Sequence, residues 1–254
     1  MRTLAGWITA AIILTAGILY FFFGTEETLV PPLHLVGDIE TCLDTQSLSD
    51  LGTVTSVKLE GENYNAVSIE EIAEKQKVCG KLESILFVAE DGFTAEIGGK
   101  TVKDSYLSFT PENGWCAINP KHPNSANAKF LQQIIFVSTP EENHQTSIRL
   151  INGDEQRTET VGSLYAGQTI LYPYPEGSAE KNDYTATVST KRTCVTGAIL
   201  GFQDAEQLKL TFESGDTFSI RSSSGFFQLN GNHLDYINAF TRQKDSNIRA
   251  IKAE

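Results

Sequence analysis

The chain repeats itself, and that constrains its fold more than any other feature. The stretch ESILFVAEDGFTAEI from Glu83 to Ile97 lies over EQLKLTFESGDTFSI from Glu206 to Ile220 without a gap. Four weaker matches keep the same order. LHLVGD from Leu33 parallels IRLINGD from Ile148, and SLSDLG ending at Gly52 parallels GSLYAG ending at Gly167. VTSVKL from Val54 parallels YTATVS from Tyr184, and VSIEEIA from Val67 parallels VTGAILG from Val195. Self-similarity in a fixed order marks a duplicated structural unit. We therefore expect two diverged copies, 33–138 and 146–254, joined at Thr139-Pro140-Glu141-Glu142-Asn143, since Pro and polar residues between periodic segments mark a boundary.

Each copy reads as mixed α and β. Alternation in Thr53 to Leu59 and Tyr184 to Val188 is strand-like, and Val67 to Gln76 has the pattern of a short amphipathic helix. Ser84 to Val88, Asp91-Gly92, then Phe93 to Ile97 reads as a hairpin, with Ser214-Gly215-Asp216 turning likewise in the second copy. Phe130 to Val137 is apolar enough for a central strand.

Ahead of the copies, residues 1–30 read as a membrane anchor. Leu4 to Phe23 carries no charge, and about 20 helical residues cross a hydrocarbon core of roughly 30 Å. Arg2 precedes the run, Glu26 and Glu27 follow it, and the next basic residue is Lys58. The positive-inside rule then puts the N-terminus in the cytoplasm and the body outside, at the cell membrane, on a single pass. A cleaved signal peptide is the competing reading, against which FFFGTEE makes a poor small-x-small cleavage site.

With 32 Asp and Glu against 20 Lys and Arg, the net charge is −12. Phosphate backbones are repelled, so nucleic acid is not an expected partner, and an acidic surface argues against tight contact with anionic lipid. The cysteines Cys42, Cys79, Cys116 and Cys194 suit no disulfide-built scaffold and contain no C-x-x-C; one bridge fits an oxidising compartment, with the pairing left open.

The order of strand, small helix, EDGF hairpin, then ENGWCAINPKHPNSANAKFLQQIIFVS resembles the molybdopterin-binding domain of the sulfite oxidase family. The resemblance covers most of the first copy and, more faintly, the second. It implies an α+β fold: two tandem mixed α/β repeats of that type after one transmembrane helix. It also places ligand contacts at Asp91, Asn113, Trp115, His122 and Lys129. The departures concern the metal. The family's molybdenum takes a thiolate from the strand before the second helix, where VTSVKLEGENYNAVS has no Cys, and its HGxPxR loop is here His122-Pro123-Asn124-Ser125-Ala126-Asn127-Ala128-Lys129. No cofactor is therefore expected, molybdopterin being the alternative.

The remaining motifs are sparse. The four histidines share no metal-ligand spacing, and phosphate loops and nucleophile elbows are absent. Cys116 beside Trp115 reads as packed or disulfide-bonded. Cys194, after Lys191 and Arg192, is the better thiolate candidate. Thr196-Gly197-Ala198 approaches a flavin-attachment sequence, but Ile199 stands where the acceptor hydroxyl belongs. The function expected is a membrane-anchored extracytoplasmic module that binds a ligand or protein partner without catalysis. The alternative is a molybdopterin-type oxidoreductase or redox-complex subunit.

Overall fold

Strands dominate the computed structural model, which describes residues 30–141, 144–168, 194–195 and 200–254. The first half runs β1 (Leu33–Gly37), β2 (Leu43–Thr45), α1 (Leu48–Leu51), β3 (Thr55–Leu59), β4 (Glu62–Ser68), α2 (Ile69–Gln76), β5 (Leu82–Ala89), β6 (Thr94–Gly98), β7 (Tyr106–Thr110), β8 (Gly114–Ile118) and β9 (Leu131–Ser138). The second half follows with β10 (Ser147–Asn152), β11 (Glu155–Thr160), α3 (Val161–Gln168), β12 (Cys194–Val195), β13 (Gln207–Phe212), β14 (Thr217–Arg221), β15 (Gly225–Asn230), β16 (His233–Asn238), β17 (Lys244–Asp245) and β18 (Ile248–Ala253).

This corrects the expected α+β fold of sulfite oxidase type. The described residues form four sheets, and their α-helices are short. The reason is local. Helix α2 starts where Ser68 precedes Ile69, with Glu70 and Glu71 in the first turn, and buries Ile69, Ile72 and Ala73. It stops after two turns at Lys77, whose left-handed backbone closes back on Ala73 and Glu74. Around it the β-branched and aromatic runs take the extended state instead. In the second half Cys194 and Val195 lie in a strand, as Ala66 and Val67 do in the first. The expected membrane span falls in residues 1–29, outside the described residues. Among the described residues no helix is long and apolar enough to cross a membrane.

The halves are laid out alike. One five-stranded sheet has the order β2-β1-β9-β5-β6, and the other β11-β10-β18-β13-β14. In each, the first strand runs parallel to the last, which is antiparallel to the hairpin. Register agrees too: Leu35 faces Ile134, which faces Phe87, as Leu150 faces Ile251, which faces Leu210. The four-stranded sheets, β3-β4-β7-β8 and β12-β15-β16-β17, share three strands, β4-β7-β8 matching β12-β15-β16, while β3 and β17 lie on opposite edges without a described counterpart. There Val67–Leu107–Ala117 corresponds to Val195–Phe227–Tyr236.

What differs is burial. Ile85 to Val88 and Ile134 to Val137 are buried without alternation, so the first five-stranded sheet is covered on both faces. Its β1, β5 and β9 contribute Val36, Leu86, Val88, Ile135 and Val137 to a core with Val161, Leu164 and Tyr165 of α3. In the second sheet Leu208 and Leu210 are buried while Gln207 and Lys209 are exposed, the alternation of a sheet with one wet face.

The junction between halves is closed by polar contacts. Asp38, fully buried, accepts hydrogen bonds from the Ser138 amide at 2.8 Å and from the Gly162 amide at 2.9 Å. Burial raises its carboxyl above the usual range, against the pull of these donors and of the Thr160 hydroxyl. Asn232 Nδ2 donates to the carbonyls of Ile39 and Glu40, each at 3.0 Å, and the Gly37 amide donates to Gly231.

Candidate functional site

At one end of the first half, three chain segments are knitted around a single residue, Phe130. The β5–β6 turn is fixed by Asp91, whose carboxylate accepts the Phe93 amide at 2.9 Å, and by Gly92 at φ +87°. The Glu90 amide then donates to the Phe130 carbonyl, and the Phe130 amide donates to the Asn113 carbonyl in the β7–β8 turn, both at 2.9 Å. Gly114, at φ +60°, lies against the ring and meets the demand for a left-handed residue in the β7–β8 turn. Held on both sides, Phe130 adopts φ +52° and leaves half its surface, 50 %, in solvent. Phe93 flanks the same end at 43 % exposure.

A left-handed backbone costs an L residue about 1–2 kcal/mol, and Asn tolerates it better than most because its side chain bonds locally. The second half supplies an internal control. Its Glu213 amide donates to the Asn247 carbonyl at 2.9 Å, as Glu90 does to Phe130, and Phe212 pairs with Asp216 as Ala89 does with Phe93. Asn247 has φ +64°. The turn therefore demands a left-handed residue in both halves. One half meets the demand with Asn, the other with an exposed aromatic ring.

Exposed Glu90, Asp91, Glu112 and Lys129 ring this aromatic end. Asp91, Asn113 and Lys129, three of the residues expected from the sequence, are thus brought together. The other two are not. Trp115 is fully buried, donates its indole N–H to the Pro31 carbonyl at 2.8 Å and meets Phe109 edge-on. It belongs to the core. His122 lies on the loop after Ile118, at the far end of β8 from Gly114, with its Nε2 buried and unpartnered. Phe93 and Phe130 were missed. The signal for Phe130 was the pairing of Phe130-Leu131 with Asn247-Ile248, which follows from extending the repeat through the last strand.

The thiols are quiet. Burial pushes Cys42 and Cys116 up to about 11, and it raises Cys79 as well. Cys116 Sγ lies 3.5 Å from the Asn113 and Gly114 carbonyls, packed into the β7–β8 turn beneath Phe130. The side chain of Cys194 and residues 196–199 lie outside the description. Among the described residues no group of three or more His, Cys, Asp or Glu is placed to hold a metal. The described residues do not fit a molybdopterin centre. Strands β3 and β4, ahead of the second helix where the resemblance would put the metal's thiolate, hold no sulfur, and His122 is separated from Asp91, Asn113 and Lys129 by the length of β8. We derive no step through such a group.

The other polar concentration, at Asp235, is satisfied internally. Its buried carboxylate receives Lys244 Nζ at 2.7 Å, Asn230 Nδ2 at 3.2 Å and the Asn247 amide at 3.3 Å. His233 beside it is held below the usual imidazole range by burial. Both carboxylate oxygens are engaged, and the cluster braces the β15–β16 hairpin. No family model matches this chain, and no curated protein matches it.

Proposed function

We propose that the protein is a membrane-anchored, extracytoplasmic module, without catalysis of its own, that docks a protein partner through the Phe93–Phe130 end. One observation carries the reading. Phe130 is an exposed aromatic residue in a left-handed backbone position, where the equivalent turn holds Asn247. Strain of this kind persists where the surroundings over-determine it and clusters at binding sites. Aromatic residues also dominate the energetics of protein interfaces. The end is stiff, since backbone hydrogen bonds fix Phe130 on both sides, so little ordering remains to be lost on binding.

The uncharged run from Leu4 to Phe23, with Arg2 before it and Glu26 and Glu27 after it, supports the tether and its orientation. The matching registers of the paired sheets support a build from two diverged copies, 33–138 and 146–254.

A photo-cross-linking residue placed at position 130 in living cells tests the site. The expected result is a discrete adduct from positions 130 and 93 and none from Phe218, which is comparably exposed on the second half. Equal labelling from all three, or none from 130, overturns the reading. Protease added to spheroplasts checks the tether, and the body should be digested.

A further inference from the structure

We infer that the outer face of the β11-β10-β18-β13-β14 sheet is a second interaction surface, and that its occupant is an acidic segment of a partner protein. This goes beyond the docking end at Phe130 and rests on separate residues. The equivalent face in the first half is apolar and covered by α3, through Val36, Leu86, Val88, Ile135 and Val137. Here the registers put Ile151, Lys209, Thr211 and Lys252 in the places of Val36, Leu86, Val88 and Ile135.

The charge on this face is one-sided. Lys209 stands directly opposite Lys252 on the neighbouring strand. Arg149 faces Ala250, one row away on the strand beyond. Thr158 and Gln156 on β11 flank them on one side, Thr217, Ser219 and Arg221 on β14 on the other, and Thr211 shares the strand of Lys209. Glu254 also reaches this face, where it accepts the Ser219 hydroxyl at 2.7 Å. Among the described residues, Arg149, Lys209 and Lys252 enter no ion pair. All three are exposed. Like charges directly opposite across two strands destabilise a sheet. A face kept only for solubility intersperses both signs, which is easily done in a chain with 32 acids and 20 bases.

The geometry selects the occupant. Strands lie about 4.8 Å apart, so Arg149, Lys252 and Lys209, on β10, β18 and β13, form a strip about 10 Å across. An extended peptide is narrow enough to lie on the strip and meet only its cations. An anionic bilayer is a plane that also faces the remaining carboxylates of a body with a net charge of −12, within a screening length of about 8 Å. The strip therefore suits acidic side chains on a peptide better than a lipid surface.

The test uses the full chain in neutral detergent and a fluorescein-labelled peptide of alternating Glu and Ser, followed by anisotropy. Binding should weaken as salt rises. Lys209→Glu with Lys252→Glu should weaken it about tenfold or more, and Lys209→Gln with Lys252→Gln by less. Lys58→Glu with Lys100→Glu, exposed elsewhere, should leave it unchanged, as should Phe130→Asn. Circular dichroism confirms that each variant is folded. Lys252→Thr alone should raise the melting temperature by relieving the paired lysines. Peptide binding indifferent to Lys209 and Lys252 overturns the inference. So does salt-sensitive binding to phosphatidylglycerol vesicles, lost in the same variants, with no peptide binding.

Discussion

Phe130 and Asn247 occupy one backbone position in two sequence contexts, so exchanging them separates folding from function. Phe130→Asn removes the left-handed penalty of an aromatic residue and should raise stability by about 1 kcal/mol, read as a higher thermal midpoint, while the cross-link from position 93 is lost. A lower midpoint would show that the ring contributes packing instead. The cysteines make a second test at this scale. Thiols raised from 9.0 to about 11 at Cys42 and Cys116 should resist iodoacetamide at pH 8 and react only as the pH approaches 11. The folded state favours the protonated thiols. Their contribution to stability is therefore present below the unfolded value near 9.0 and lost as the pH rises through about 11. Fast alkylation at pH 8 would contradict the burial. The Asp91-Gly92 turn was readable in the sequence because turn chemistry is local. Phe130 was not, because its left-handed backbone follows from hydrogen bonds to two other segments.

Helix α3 shows how a short element can hold two sheets together. Its Gly162 lies so close to the first half that a Cβ there would meet the Phe136 carbonyl at 2.3 Å and Asp38 Oδ2 at 2.6 Å. Gly162→Ala should therefore cost about 1–3 kcal/mol through overpacking, seen as a lower denaturant midpoint. Gly167 on the same helix meets nothing within 4 Å, and Gly167→Ala should be neutral or gain up to about 1 kcal/mol in helix propensity. Equal effects at the two positions would remove the junction from its proposed role. Some strands were legible from period and composition: β9 as an apolar run, β3 as alternation, and β5–β6 and β13–β14 as hairpins around their Gly turns. The parallel pairing of β1 with β9 was not, because it joins residues about a hundred positions apart and no local pattern encodes it. The fold class erred because the resemblance gave a short helical pattern, Val67 to Gln76, the weight of a layer, whereas it supplies about two turns.

At the scale of the whole molecule, the halves are alike in register and unlike in what covers them. The outer face of the first five-stranded sheet is finished by the second half, while that of the second ends in Arg149, Lys209 and Lys252. The first half alone would expose Val36, Leu86, Val88, Ile135 and Val137 as one apolar face, and would also leave Asp38 without its Gly162 donor. A face of that kind drives association. Residues 31–141 expressed alone should therefore aggregate or fail to fold, and the full chain should unfold in one cooperative transition. The registers supply a rescue, since Lys209, Thr211 and Lys252 stand where Leu86, Val88 and Ile135 do. Introducing Leu86→Lys, Val88→Thr and Ile135→Lys into the isolated half should restore solubility and a β-sheet circular dichroism spectrum. The same three changes in the full chain should weaken it severely, because they bury unpaired lysines against α3. Light scattering and thermal unfolding of the four proteins decide the matter. If the unmodified half is already soluble and cooperative, the shared core does not bind the halves into one folding unit.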